Sequence, residues 1–294
     1  MVARTYGVRM TTQAEKAEAF RALHHGPHPL VLPNAWDVPS ARVFEDAGFP
    51  AVATSSAGLM VSRGYRDGEE MPRRELVEAV GRIAGKLSVP LSADVVGGYG
   101  RTAREVASTV RMILAAGAVG INLEDLEPSA GGLHPVESQV EKIEAVRRLG
   151  KSQGIPLVIN ARTDAFRHAT GNDEERLREA IRRSIAYRDA GADCVYPMGV
   201  SDAAAIGTFV RALGCPVNVM IRKGLPTVGQ LEKLGVKRVS FGPSASYAAM
   251  GLLKRASQEV LSRGTYGSLL EGAITFDELN QLAARKAPGN ATHT

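Results

Sequence analysis

The stretch Asp46-Ala47-Gly48-Phe49-Pro50-Ala51-Val52-Ala53-Thr54 decides the fold, because its pattern returns three more times. It recurs as AAGAVGINL at 115–123, DAGADCVYP at 189–197 and, with a variant lead, KLGVKRVSF at 233–241. Each time an amphipathic stretch closes on glycine, which takes the left-handed helix-ending conformation without a Cβ clash. A short apolar run follows at once. This is the helix-to-strand turn of a βα repeat.

Working outward, eight such runs can be read: LVLPN (30–34), AVATS (51–55), VPLSAD (89–94), AVGINLE (118–124), IPLVINA (155–161), DCVYP (193–197), CPVNVM (215–220) and KRVSFG (237–242). They are continuous rather than alternating, as expected of parallel strands covered on both faces. Between them lie helical patterns such as REVASTVRMILAAG and ERLREAIRRSIAYRDAG. The prediction is an α/β fold, a (β/α)8 TIM barrel. A doubly wound open sheet is the alternative, weakened because no strand leads into G-x-G-x-x-G.

The whole chain, 1–294, reads as one barrel domain. A helix at about 11–26 closes the floor, the barrel spans about 30–263, a helical extension covers 264–287, and 288–294 is a disordered tail. The extension exceeds what one barrel needs, so it is expected to pack on another subunit of a homo-oligomer. Two long segments after strand C-termini, Ala57–Met71 and Asp125–Pro135, are lid candidates.

Composition excludes several classes. With 44% hydrophobic and 23% charged residues the chain can build a large core. No apolar run approaches the roughly 20 residues of a membrane helix, and the N-terminus lacks the apolar centre of a secretory leader. Two cysteines point to a reducing compartment, so the expected location is cytoplasmic, with no membrane partner. The net charge of +5 is spread beside acids along helix faces, which argues against nucleic acid and suits small anionic ligands.

Barrel chemistry sits at strand C-termini, where this chain offers Trp36, Asp37, Ser55, Ser56, Asp94, Glu124, Asp125, Arg162, Asp164, Tyr196, Met198, Asn218 and Arg222. Bare carboxylates at the ends of adjacent strands, Asp94 and Glu124, repel each other. A divalent cation resolves that conflict, and an oxygen-only set suits Mg²⁺ or Mn²⁺. Either residue could instead cap a helix or pair with Arg162. Arg162 has the fork to bind a substrate carboxylate, and Ser55 has a hydroxyl and nearby amides for one. His134 is a candidate acid/base. His24, His25 and His28 read as surface histidines, and Cys194 and Cys215 as core residues.

Four motifs in order carry a resemblance to the isocitrate lyase/phosphoenolpyruvate mutase superfamily, in its carboxyvinyl-carboxyphosphonate phosphorylmutase-like branch. DVVGGYG (94–100) is similar to the family's D-x-D-x-G-[YF]-G metal turn, LED (123–125) to its second metal segment, and NARTDA (160–165) to its A-R-T-D-A strand. SARVFEDAGF, GYRDGE and AYRDAGADCVYP fall in register. The resemblance spans about Asn34 to Arg263.

It implies that Asp94 ligates Mg²⁺ directly, that Glu124 holds water of the metal, and that Asp67 adds an outer carboxylate. Ser55, the Ser56 amide and Arg162 would hold the substrate carboxylate, and Trp36 would line the pocket; Asn218, at the end of strand seven, is a further substrate-binding candidate from its position. The family's shared chemistry is a Mg²⁺-stabilised enolate of small 2-oxo acids, in tetramers that exchange their last barrel helices. The chain departs from the pattern in three places. Val96 stands for the second Asp, the strand-four loop LEPSAGGLHP lacks the lyase lysine and cysteine, and Met198 replaces Glu or His. The expectation is a Mg²⁺-dependent lyase cleaving a C–C bond in a small 2-oxo or hydroxy carboxylate, with Tyr65, Tyr99 or His134 as proton donor. The alternatives are phosphonopyruvate-type P–C bond chemistry and a non-catalytic carboxylate-binding barrel.

Overall fold

A computed structural model describes residues 12–127 and 131–284. The first residue of the expected N-terminal helix, the end of the extension and the tail at 288–294 lie outside the described residues.

All eight expected strands form. β1 is Leu30–Leu32, continued as Asn34–Ala35 beyond Pro33, which has no N–H to give a ladder. β2 is Val52–Thr54, β3 Leu91–Asp94, β4 Gly120–Glu124, β5 Val158–Thr163, β6 Cys194–Pro197, β7 Asn218–Met220 and β8 Arg238–Ser240. Parallel ladders join β1 through β6 in order, and β7 pairs with β8. A bridge from Val195 to Val217 links β6 to β7, and β8 pairs with the first half of β1. The sheet therefore closes on itself, which excludes the open doubly wound alternative.

Alternation along each strand sorts the side chains into two layers. Outward residues such as Val52, Ala93, Ile121, Leu123 and Ile159 pack beneath the helices as the main core. Inward residues near the strand starts, Leu30, Leu32, Ala53 and Val158, form a smaller cluster with Phe20 of the first helix, Gln13–Leu23. That helix is the barrel floor. Gln13 Nε2 donates to the carbonyls of Leu114 (2.7 Å) and Ala118 (2.9 Å), and Phe20 fills the space a Cβ at Gly120 would need. His24 corrects the surface reading of the histidines: it is 1% exposed, wedged under the barrel with its Nδ1 2.8 Å from the Phe20 carbonyl. His25 is exposed, and exposed His28 pairs with Glu232.

Two other expectations change. The strand-two lid begins as a buried helix, Ser56–Val61, because Ser55 caps it at the Gly58 amide and S-A-G-L-M is small or apolar. The strand-four loop holds a short antiparallel pair, Leu126–Glu127 against Gly132–Leu133. The eighth helix, Ser244–Arg263, leaves Tyr247, Met250, Leu253 and Leu261 exposed. The appended helix Phe276–Ala284 packs on this chain's own Val38–Asp46 helix, where Arg42 Nε donates to the Leu282 carbonyl at 3.0 Å. Among the described residues no helix is long and apolar enough to cross a membrane.

Candidate active site at the barrel mouth

The C-terminal ends of the strands enclose a cavity of about 260 Å³. Its lining includes Ser55, Ser56, Asp67, Asp94, Arg162 and Asn218, six of the residues expected from sequence. Trp36 and Glu124, also expected at the site, are not among the lining residues; Trp36 is half-buried and packs against the short lid helix, its Cβ 3.1 Å from where a Cβ on Gly58 would sit. Tyr65 turns away, its hydroxyl donating to Glu75 at 2.9 Å. His134 lines a neighbouring cavity with Glu69, Tyr99 and Glu127, and burial is the main cause lowering its pKa. Tyr99 lies there too, its buried hydroxyl without a hydrogen-bond partner among the described residues.

Asp94 is held from three sides. Oδ2 accepts from the Ser56 amide (3.1 Å), and Oδ1 accepts from Asn122 Nδ2 (3.1 Å) and the Val96 amide (3.3 Å). Val96 reaches that position only by adopting φ +55°, a conformation rare for a β-branched residue and costing about 1–2 kcal/mol. Its side chain packs in the outer core, not in the cavity. The Ser56 amide expected to hold a substrate is thus engaged within the protein, and the Ser55 amide donates to the Ala35 carbonyl at 2.9 Å. Ser55 lines the cavity, its hydroxyl accepting from the Gly58 amide at 3.3 Å.

Arg162 is more heavily used than its expected role implies. Nε and Nη2 donate to Asp164 (2.7 and 3.0 Å), Nη1 lies 2.8 Å from Glu124 Oε2, and the guanidinium sits over the Tyr196 ring. These carboxylates raise the Arg162 pKa against the opposing effect of burial. The sequence reading did not single out Asn122 and Asn160, whose amides form a chain, Asn160 Nδ2 to Asn122 Oδ1 at 2.8 Å, ending on Asp94. A signal was present: GINLE and VINAR each interrupt a buried apolar run with one asparagine.

Electrostatically the site is short of positive charge. Burial is the chief cause raising Glu124; Arg162 opposes it, Asp164, Asp94 and Asp67 add to it, and its pKa reaches about 8. Asp67 is raised by burial and by Asp94, and its carboxylate accepts from the Ser56 hydroxyl. Among the described residues no three acidic, His or Cys side chains converge as a complete metal cage. A hard cation that keeps most of its waters needs only one or two carboxylates, so Asp94, with Asp67 and Glu124 behind it, fits Mg²⁺.

A pH dependence follows from Glu124. Its folded pKa lies above the ordinary 4.5, so its neutral form favours the fold and stability falls as pH rises through about 8. A cation requires the anion, so its affinity should rise by up to about tenfold per pH unit over that range. Thermal midpoints with Mg²⁺ and with EDTA, from pH 6 to 9, should diverge as pH increases. Glu124→Gln should flatten that divergence, and an unchanged divergence would refute the assignment.

Neither cysteine is among the residues lining this cavity. Cys194 is fully buried at the start of β6, and burial raises its thiol to about 12. Cys215 is partly buried ahead of β7, raised to about 11 for the same reason.

Comparison with known proteins agrees with this geometry. The phosphoenolpyruvate phosphomutase family matches residues 20–261. A Burkholderia cenocepacia J2315 crystal structure, provisionally assigned as a lyase/mutase, superposes with TM-score 0.86 at 36% identity, covering 95% of this chain and 98% of that one. The structure of 2,3-dimethylmalate lyase, a PEP mutase/isocitrate lyase superfamily member, gives 0.79 at 25% identity, covering 91% and 94%. The 2-methylisocitrate lyase of Bacillus subtilis strain 168 is 30% identical over 216 residues, covering 71% of this chain and 68% of that protein. The superfamily thus contains both lyases and phosphomutases, on (β/α)8 barrels that close as this one does. By its match over residues 20–261, its barrel and its ordered strand-end motifs, the chain belongs to the phosphoenolpyruvate phosphomutase family of the isocitrate lyase/PEP mutase superfamily.

Proposed function

We propose that the protein is a Mg²⁺-dependent lyase that cleaves a C–C bond in a small 2-oxo or hydroxy carboxylate. The observation that carries this is the pair Asp67 and Asp94 lining one cavity with Arg162, with Glu124 buried against Arg162, where the Asp94 charge raises both Asp67 and Glu124. A divalent cation held by Asp94 and backed by Asp67 and Glu124 would supply Lewis-acid stabilisation of charge developing on substrate oxygens.

The chain's own residues do the rest. The Ser56 and Val96 amides and Asn122 fix both Asp94 oxygens, so the carboxylate needs no reorganisation when a ligand arrives. Asp164 and Glu124 lock the plane of Arg162 while engaging three of its five N–H donors. The remaining two are available to a substrate carboxylate, with the Ser55 hydroxyl and Asn218 on the same cavity wall. Tyr65 and His134 have no geometric support as donors to the central cavity. The exposed apolar side chains of the eighth helix support a homo-oligomer in which a second copy covers them.

Purified protein should release a 2-oxo acid from at least one of oxaloacetate, methylisocitrate or a citramalate-type acid, and EDTA should stop the release. Tight oxalate binding without turnover of any acid would favour the non-catalytic barrel. The family match supports P–C bond chemistry as the second reading. Conversion of phosphonopyruvate followed by phosphorus NMR distinguishes it from C–C cleavage.

A further inference from the structure

Few groups on the cavity wall can give up a proton. Among the described residues no histidine, cysteine or lysine lines it, its arginines keep their protons, and Asp67 and Asp94 are read above as anions. Glu124 is buried against Arg162 and is not on the wall. Serine and threonine hydroxyls are too weakly acidic, which leaves two tyrosines. Tyr247 is 57% exposed, on the eighth helix. Tyr196 is 5% exposed, within β6 and directly across the ladder from Arg162. Its hydroxyl donates to the Met198 thioether at 2.9 Å, a weak acceptor that orients the O–H without taking its hydrogen. The Arg162 guanidinium lies over its ring, 5.8 Å from the centroid, and favours the phenolate electrostatically. Burial is the chief cause holding this phenol above its ordinary pKa of 10, with Arg162 opposing, so the resting group is a donor and not a base.

We infer that Tyr196 is the catalytic proton donor, its hydroxyl aimed by Met198 and its phenolate balanced by Arg162. This rests on the lyase reading above and names the acid which that reading lacks. As the C–C bond of a hydroxy acid breaks, the carbinol carbon loses its hydroxyl proton to solvent and becomes the carbonyl of the released 2-oxo acid. The bonding pair stays on the other carbon as an enolate, which takes the proton of Tyr196 Oη. That O–H bond breaks, a C–H bond forms, and the phenolate regains a proton from solvent. Met198 then has a positive role. A carboxylate in its place would hold the hydroxyl's hydrogen in a charge-assisted bond and compete with the enolate for it.

The test is single-turnover cleavage, with Mg²⁺, of methylisocitrate or a citramalate-type acid, whichever the native protein turns over. Tyr196→Phe should be slower by about 10²–10⁴-fold, the scale of losing a general acid, while Mg²⁺-dependent oxalate affinity stays within about threefold of native. A purely structural role for Tyr196 would weaken oxalate along with the chemistry, and that result overturns the assignment. Site-specific 3-fluorotyrosine at 196 is nearly the same size but more acidic, so it keeps the proposal testable where Tyr196→Phe does not fold. It should retain activity and move the alkaline limb of the rate to lower pH. The charged groups around the hydroxyl, Arg162 and Asp164 after β5, Asp94 on β3, Glu124 on β4 and Arg238 on β8, are the same in both proteins, so that displacement reports Tyr196 itself. Native rates in Tyr196→Phe, or an unmoved limb with the fluorinated residue, overturn the assignment. So does a larger loss in Tyr247→Phe than in Tyr196→Phe, which places the donor on the eighth helix. If the native protein releases no 2-oxo acid from either substrate, it is the lyase reading that fails.

Discussion

Asp94→Ala is expected to lower turnover by about 10³-fold or more, the scale of losing a preorganised charge stabiliser. The change removes the carboxylate on which Ser56, Val96 and Asn122 converge. It should also abolish Mg²⁺-dependent binding of oxalate. The effect on stability should be small by comparison, because two opposing terms meet. Three donors lose their acceptor, while Asp67 and Glu124 lose a like charge that raises both of them. That asymmetry makes the experiment readable, since lost activity in a protein with a near-native thermal midpoint cannot be attributed to unfolding. Asp94→Asn keeps the shape and one acceptor oxygen but not the charge, and should fall close to alanine in activity. Turnover at the native level in Asp94→Ala would remove Asp94, and the cation with it, from the mechanism.

The fold was legible because it depends on a repeated local signal. Glycine-ended helices followed by buried apolar runs locate all eight strands to within a few residues, and closure follows from their number and parallel direction. The site was legible at the level of strand ends, since any inward residue there faces the cavity, as Ser55, Asp94 and Arg162 do. What could not be read was how donors are shared. The Ser56 amide looks available in sequence but is bound to Asp94, and Arg162 looks like a substrate clamp but is braced by Asp164. Such allocations depend on distances between strands that pair across long separations. His24 was misread for a related reason: a histidine before Gly-Pro resembles a surface turn unless the helix bearing it is known to plug the barrel.

Removing the other half of the Glu124-Asp125 pair should have the opposite signature, a large loss of stability. The two look equivalent in sequence, yet successive strand residues face opposite ways. Glu124 turns into the barrel, whereas Asp125 turns out beneath the helix Asp173–Asp189 and is fully buried. There it accepts from the Thr163 hydroxyl (2.8 Å), the Asp164 amide (2.9 Å), the Tyr187 hydroxyl (2.7 Å) and Arg183 Nη1 (3.2 Å). Asp125→Ala leaves the buried Tyr187 hydroxyl without its carboxylate and removes the ion-pair partner of largely buried Arg183 at this point. The expected cost is about 3–5 kcal/mol, the range for breaking a buried pair from one side, or a fall of roughly 10 °C in Tm for a chain of this size. Arg183 keeps its pair with Glu179 through Nε at 2.8 Å, so adding Arg183→Met should recover only a small part of that loss. The reach of the change extends to the site. Asp125 anchors the backbone of Asp164, and Asp164 holds two nitrogens of Arg162, so the folded fraction of Asp125→Ala should bind substrate acids more weakly. An undiminished Tm would mean that Thr163, Tyr187 and Arg183 find other partners, and that Asp125 is not what joins β4 and β5 to the helix above them.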